Sequence, residues 1–220
     1  MDVDAIIRAR RITRDEQGMS LVELMVATMI LGIVMLVCSS VFASVESAVV
    51  RQNNLSNTLD QGRLALQQLD RELRSGNVLY DPSLENNGLA SCSGCVAGYT
   101  LRLYTQANAP TRNTYECTLW KIDTNQQLLT RQWPPDDPTS AGAWRVVATG
   151  VVNRSLGTPE TAFTLDTDPL KGSRTVNITL ALNSDYTHFP TQTARVQAAL
   201  TGRNTSYGYP SNVCSTTPSG

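Results

Sequence analysis

Four cysteines in the second part of the chain are the residues whose type and spacing most readily suggest chemistry. Cys92 and Cys95 form a C-x-x-C pair, and Cys117 and Cys214 lie further along the chain. Outside the cytoplasm such thiols oxidise to disulfides. Four cysteines allow three pairings, and spacing alone does not choose among them. The arrangement that we place first joins Cys92 to Cys95 and Cys117 to Cys214, which would tie the C-terminal tail to a strand.

The C-x-x-C pair has two other possible uses. A zinc site with four thiolates would use the same cysteines, but it lacks the second closely spaced pair that is typical of structural zinc sites. A thioredoxin-like redox motif would need a βαβ context, which the surrounding sequence does not provide. We therefore expect disulfides and no metal.

No set of side chains predicts catalysis, so we expect no enzyme activity and no cofactor. His188 is the single histidine, which leaves no pattern for a histidine-activated nucleophile or a multi-histidine metal site. Asp166 and Asp168, followed by Lys171 and Gly172, could bind calcium. A solvated turn is the interpretation that we prefer for this segment.

The charge balance argues against nucleic acid as a partner. The chain has 18 Lys and Arg against 19 Asp and Glu, a formal net charge of -1. Phosphate recognition normally rests on a surplus of basic residues on one face. Apolar residues make up 41% of the sequence, enough for one globular domain with accessory segments.

A long apolar stretch over residues 19–45 indicates a membrane helix. Its only ionisable side chains are Glu23 and the thiol of Cys38, and we read Cys38 as an apolar filler. The stretch is long enough to cross a hydrocarbon core of about 30 Å. Four arginines, at positions 8, 10, 11 and 14, precede it. They predict a cytoplasmic N-terminus, with the rest of the chain outside the cytoplasm.

Glu23 decides among three interpretations of this stretch. A secretory signal peptide has an apolar region of about 7–15 residues and no use for a carboxylate. A plain anchor leaves Glu23 equally unexplained, because an acid at membrane depth costs about 2.5–3.5 kcal/mol and usually has a partner. An interpretation in which Glu23 has a function is therefore favoured.

The third interpretation comes from a resemblance. Residues 14–18 (RDEQG), then 19–24 (MSLVEL) and an apolar helix, resemble the class III signal of the type IV pilin-like superfamily. The resemblance implies that a prepilin peptidase cuts between Gly18 and Met19 and N-methylates Met19, although Met19 departs from the commoner Phe. It implies that Glu23, the fifth mature residue, pairs with the N-terminal amine of a neighbouring subunit during assembly.

Periodicity predicts one long helix over residues 20–75. Leucines at positions 55, 59, 66, 69 and 73 keep to one face, as in a helix packed on a core. No proline occurs before Pro82, and Gly76 with Asn77 forms a natural stop.

Beyond the helix the pattern predicts strands, because apolar and polar residues alternate and Thr, Val and aromatic residues are frequent. The predicted strands cover residues 99–106, 116–123, 127–133, 144–151, 161–165, 175–183 and 195–201, with a hairpin turn at 124–126. A helix followed by strands predicts an α+β pilin fold, in which the long helix packs on one face of a C-terminal antiparallel sheet.

The expected organisation has five parts. A cleaved leader spans 1–18, a transmembrane assembly helix 19–50 and an amphipathic half-helix 51–76. A β-rich extracytoplasmic domain follows over 77–204, and a frayed tail over 205–220.

The layout is most similar to the PilW-type minor pilins, which implies a structural subunit that helps to initiate and assemble a type IV pilus. Its implied partners are other major and minor pilins, the prepilin peptidase and the inner-membrane assembly platform. The implied location is the inner membrane, with the C-terminal domain in the periplasm, and then the surface pilus. The alternatives are a J-like minor pseudopilin of a type II secretion tip complex, and an adhesin or DNA-uptake pilin that binds through C-terminal loops.

The cleavage site gives a first prediction. Gly18→Ala, or a larger residue, should leave uncut precursor in the membrane, because the peptidase approaches a position without a side chain. Mass spectrometry of the wild-type mature chain should show an N-methylated Met19. A mature terminus near Ser44 would instead indicate an ordinary signal peptide.

Overall fold

The computed structural model describes residues 19–86, 94–106, 115–166, 174–202 and 212–218. Gly18 and Cys92 lie outside these ranges, as does most of the candidate calcium segment. Two compact units divide after Val50, the second running from Arg51 to Gly220. The fold is α+β, as the sequence predicted.

Helix α1 runs over Leu21–Arg74, 54 residues, so the predicted helix of 20–75 is confirmed to within one residue at each end. No proline interrupts it, and the chain turns out of the helix at Gly76, whose N–H donates to the Leu73 carbonyl at 3.0 Å. Arg71 and Arg74 lie in the last turn, where cations stabilise the negative end of the helix dipole.

Within the described residues, eight strands follow in two antiparallel sheets. The five-stranded sheet has the order β1-β2-β3-β4-β5, and the three-stranded sheet has the order β6-β7-β8. The strands are β1 (Val78–Leu79), β2 (Thr100–Thr105), β3 (Glu116–Ile122), β4 (Gln127–Trp133), β5 (Arg145–Thr149), β6 (Phe163–Leu165), β7 (Thr175–Leu182) and β8 (Ala194–Thr201). Short 3-10 turns occur at Pro82–Leu84 and Pro138–Ser140.

The seven predicted strands are all present, and the hairpin between β3 and β4 is confirmed by their pairing. The prediction differs from the structure in two respects. Strand β1, with two residues, is too short to show a period. The strands also form two sheets rather than one. The chain leaves β5 at Gly150, and Val151 then forms an isolated bridge with Leu182 of β7.

The main core lies between the inner face of the second half of α1 and the strands. Ala65, Leu69 and Leu73 are fully buried there, in one apolar cluster with Trp120 and Phe163. Leu59 and Leu66 pack against this cluster while remaining partly exposed. The predicted packing of the leucine face on the sheet is therefore confirmed. Each fully buried leucine contributes about 1.5–3 kcal/mol relative to an exposed one.

The expectation of a frayed C-terminal tail is wrong for residues 212–218. Cys214 is fully buried, and Thr217 is 3% exposed. The reason is a set of covalent and polar contacts with the five-stranded sheet, described below, which outweigh the weak local preferences of a Ser-, Thr- and Pro-rich segment.

Gly150 gives a prediction about stability. Its φ is +69°, and an added Cβ would lie 2.7 Å from the Asn183 carbonyl oxygen and 3.1 Å from Thr58 Cγ2. Gly150→Ala should therefore lower the free energy of unfolding by roughly 1–3 kcal/mol, through backbone strain and the clash. Gly142→Ala is the matched control, because nothing lies within 4 Å of its added Cβ.

The measurement is urea unfolding of the full chain in detergent, followed by tryptophan fluorescence. All 3 tryptophans lie in the second compact unit, so the signal reports that unit. Equal midpoints for the two variants would contradict the packing described for Gly150.

Candidate functional site

The first part of α1 is an apolar surface that no described part of the chain covers. Every residue from 19 to 50 is exposed, with Leu21 at 75% and Phe42 at 73%. The helix contains a stretch that is long and apolar enough to cross a membrane. Exposed apolar surface of this extent marks a membrane or protein contact.

Hydroxyl groups within this stretch bond to the helix backbone. Thr28, Ser40, Ser44 and Ser47 each donate to the carbonyl three residues earlier, at 2.7–2.9 Å. An apolar solvent cannot hydrogen-bond such groups, so internal partners remove most of the cost of placing them there. The segment is thus suited to a bilayer or to a helix bundle despite its polar side chains.

Ser20 and Glu23 form the start of the helix. The Ser20 hydroxyl oxygen accepts from the Glu23 N–H at 3.4 Å, and the Ser20 carbonyl accepts from the Leu24 N–H at 3.1 Å. Ser20 is therefore the N-cap and Glu23 the third helical position, the spacing of a capping box. The sequence analysis missed Ser20, although its S-x-x-E spacing is a known signature of a helix start.

The position of Glu23 leaves its carboxylate available for pairing with a cationic group of another molecule. A carboxylate in the first turn interacts favourably with the positive end of the helix dipole. No described residue forms an ion pair with it, and apart from Ser20 its neighbours on the helix surface are apolar. Met19, directly before the N-cap, is 65% exposed. A carboxylate on an otherwise apolar helix end can recruit a cationic group from another molecule.

The cysteines divide into one free thiol and a set of disulfide-bonded residues. Cys38 is free and exposed on the first part of α1. Cys117 and Cys214 form a disulfide with a Cα–Cα distance of 5.7 Å, the pairing that the sequence analysis placed first. Cys95 is also disulfide-bonded, while Cys92, its predicted partner, lies outside the described residues. The oxidised state removes Cys95, Cys117 and Cys214 as thiolate ligands for zinc.

Buried polar contacts hold the C-terminal segment beside that disulfide. Arg102, 4% exposed on β2, donates to the Cys214 carbonyl at 2.6 Å and to the Ser215 carbonyl at 3.3 Å. It also pairs with Glu85, with nitrogen–oxygen distances of 2.8 and 2.9 Å. The Tyr80 hydroxyl accepts from the Cys214 N–H at 3.0 Å.

We call these four residues, Tyr80, Glu85, Arg102 and Cys214, the C-terminal clamp. The sequence analysis missed it. Its one local signal is the alternation in TLRLYT, which places Arg102 on the sheet face opposite the leucines.

Burial governs the titration of this clamp. It raises the pKa of the Glu85 carboxyl, and the adjacent Arg102 guanidinium opposes that rise. Burial likewise raises the pKa of the Tyr80 hydroxyl. The Arg102 charge is thus what makes an ionised Glu85 tolerable in the interior.

The remaining candidates, where the structure describes them, are not grouped into a site. His188 lies in an exposed turn, with its Nδ1 2.7 Å from a carboxylate oxygen of Asp185. Asp168, Lys171 and Gly172 of the calcium candidate lie outside the described residues. In the part of the chain that the structure describes, no three His, Cys, Asp or Glu side chains are grouped to hold a metal ion.

Comparison with known families gives one match. Residues 13–39 match the family described as the prokaryotic N-terminal methylation motif. The matched segment contains Met19, the N-cap Ser20, Glu23 and the first part of the exposed apolar helix. The motif supports a type IV pilin-like protein.

For a pilin-like protein, the motif points to processing by a prepilin peptidase and to assembly with other pilins. Together with the apolar helix it is consistent with anchoring in the inner membrane. It also suggests a structural role rather than catalysis. No curated protein and no solved structure matches the chain at a significant level.

The C-terminal clamp gives a prediction with a pH dependence. Arg102→Gln should cost about 3–5 kcal/mol at pH 7.5, because Glu85 would be left buried, charged and unpaired. The pKa of Glu85 is already raised in the folded state and should rise further without Arg102. The folded protein then takes up a proton more readily than the unfolded chain, so the loss should shrink as pH falls from 7.5 towards 5.

Unfolding midpoints at the two pH values provide the measurement. Arg63→Gln is the matched control, since the Arg63–Asp60 pair is exposed at 65% and 61% and such pairs contribute about 0–1 kcal/mol. A loss in Arg102→Gln that did not change with pH would rule out the buried charge as its cause.

Proposed function

We propose that this chain is a minor pilin, a structural subunit that takes part in the initiation and assembly of a type IV pilus. One observation carries the proposal: the methylation-motif match runs directly into a helix that is apolar and exposed over residues 19–50. A helix with that composition needs a bilayer before assembly and other helices afterwards.

Glu23 supplies the specificity of assembly in this proposal. Cleavage after Gly18 would leave Met19 as the N-terminus, four residues before Glu23. The new amine of one subunit and the Glu23 carboxylate of its neighbour would pair within the helix bundle. An unpaired charge in an apolar medium costs several kcal/mol, so the register that pairs the two charges is favoured over its alternatives.

The proposed subunit is inserted with its N-terminus in the cytoplasm and its second compact unit in the periplasm. The prepilin peptidase processes it, and the inner-membrane assembly platform moves it into a surface pilus beside major and minor pilins. The energy for that movement comes from a separate cytoplasmic motor. The oxidised cysteines at 95, 117 and 214 support an extracytoplasmic place for the second unit.

Substitution of Glu23 tests the proposal. Glu23→Gln keeps a side chain of similar size and hydrogen-bonding capacity but removes the charge. We expect this variant to be inserted and cleaved normally, and to be depleted at least tenfold from sheared fibres. Glu46→Gln is the matched control, because Glu46 is exposed on the same helix and lies far from its first turn.

The assay compares precursor, mature membrane pool and sheared fraction by immunoblot. Normal fibre content for Glu23→Gln would show that the charge is not needed for assembly. A subunit that occurs only at the fibre tip has no subunit above it, so pilus number is counted as well as incorporation.

Deletion of the gene separates a pilus from a secretion pseudopilus. A minor pilin predicts fewer surface pili and unchanged export of folded proteins. Unchanged pili with blocked secretion would instead assign the chain to a type II secretion tip complex.

A further inference from the structure

An uncharged cleft of about 330 Å³ opens on the surface of the second compact unit. Four parts of the chain contribute to it: helix α1, the β3–β4 turn, the end of β5 and the residue after Asn183. The residues that line it are Asn54, Asn57, Thr58, Gln61, Asn125, Gln126, Thr149, Gly150 and Ser184. Five of these side chains are carboxamides and three are hydroxyls, and none carries a charge. We call it the amide cleft.

The helix wall of the amide cleft is set by periodicity. Asn54, Asn57, Thr58 and Gln61 are spaced so that they share one face of α1. The charged residues Asp60 and Arg63 do not line the cleft and pair with each other at 3.1 Å. The helix therefore presents amides to the cleft and keeps its charges elsewhere.

The floor of the cleft is fixed by contacts within the protein. The Gln61 Oε1 atom accepts from both the N–H and the hydroxyl of Thr149, each at 3.0 Å. The Val151 N–H donates to the Gln126 carbonyl at 2.9 Å. Gly150 allows the close approach of Thr58, as described above. These contacts hold α1, the β3–β4 turn and the end of β5 in a defined arrangement before any ligand binds, which lowers the entropic cost of binding.

Several polar groups at the rim are left with unused capacity. Among the described residues, the carboxamides of Asn54, Asn57 and Asn125 and the hydroxyl of Ser184 have no protein partner. The Gln61 Nε2 group likewise donates to no described atom. A carboxamide offers two donors and an acceptor, and a hydroxyl offers both roles. The rim therefore offers both donors and acceptors to a ligand.

An exposed aromatic ring lies next to this helix face. Arg51, one turn before Asn54, places its guanidinium carbon 4.9 Å from the centroid of Phe189, and Phe189 is 38% exposed. The guanidinium lies over the ring, and neither Arg51 nor Phe189 lines the cleft.

We propose that the amide cleft binds a neutral carbohydrate. Each hydroxyl of a polyhydroxylated ring can both donate and accept, so it can bond to a carboxamide or to another hydroxyl. An anionic or cationic ligand would find no counter-charge among the lining residues, and charged groups bind most strongly where one is present. This activity goes beyond fibre assembly, since it belongs to the second compact unit and needs no neighbouring subunit.

The test is saturation-transfer NMR on the full chain in a detergent without a sugar head group. The probes are methyl α-mannoside, N-acetylglucosamine and methyl β-galactoside, each at about 10 mM because a small polar ligand reaches only millimolar affinity, with glucuronic acid as the charged comparison. At least one neutral sugar should receive saturation, and glucuronic acid should receive less.

The double variant Asn57→Ala, Asn125→Ala should weaken that binding at least about fivefold, since each lost hydrogen bond changes affinity by about that factor. Both side chains are exposed, and an unchanged urea midpoint checks the fold. Asn177→Ala is the matched control, because Asn177 is an exposed residue of β7 that does not line the cleft.

Three results would overturn the proposal: no transfer to any neutral sugar, equal transfer to glucuronic acid, or binding that the double variant leaves unchanged. If the double variant binds every sugar as well as the wild type does but is lost from sheared fibres, the amide cleft is a contact between subunits. Because binding is measured on the unassembled chain, its failure is distinguishable from failure of the assembly role.

Discussion

The burial of one face of helix α1 against two sheets is the interaction on which the rest of the second unit depends. Leu69 and Leu73 are fully buried in the core. No other described α-helix covers the sheets on which they pack. A sheet with one apolar face is stable only when another layer covers that face. Removing this contact would expose both partners at once, which makes α1 a structural element as well as the carrier of the assembly segment.

Hydrogen bonds to defined partners hold several polar groups of α1 in this interior. Glu72 is fully buried on the core face of α1, yet its carboxylate accepts from Trp120 Nε1 at 2.6 Å and from Gln68 Nε2 at 2.9 Å. The Thr105 hydroxyl donates to the Glu72 carbonyl at 2.9 Å. Hydrogen bonds between buried groups are costly to break from one side. They fix the position of the helix over the five-stranded sheet more specifically than leucine packing alone can.

The outer face of the five-stranded sheet follows a different principle. There a disulfide and the C-terminal clamp hold residues 212–218, a segment with little apolar content, on strands β2 and β3. Cross-linking Cys117 to Cys214 closes a loop of 97 residues, and closure of a long loop lowers the entropy of the unfolded chain. The exposed apolar segment at the other end of the sequence has no such covering. The long-range contacts described here thus lie in the second unit, and residues 19–50 remain exposed for contact with other molecules.

Local sequence determined much of this protein. The apolar run, the missing proline and the leucine spacing were enough for α1, because a helix depends on neighbours three and four residues away. Alternation identified the longer strands, because side chains that follow each other along a strand point to opposite faces of the sheet. Glu23 was conspicuous because a carboxylate is costly in an apolar run. The S-x-x-E spacing is also a local signal, and it indicates Ser20 as the N-cap.

Only the tertiary structure decided the contacts between residues distant in sequence. Arg102 and Cys214 are 112 residues apart, and nothing in their local surroundings indicates that they meet. Val151 and Leu182, which form an isolated bridge, are likewise distant in sequence. The amide cleft also depends on four elements that lie apart along the chain. Such contacts arise from the global minimum of packing and polar satisfaction, which has no period and no spacing to be read along the chain.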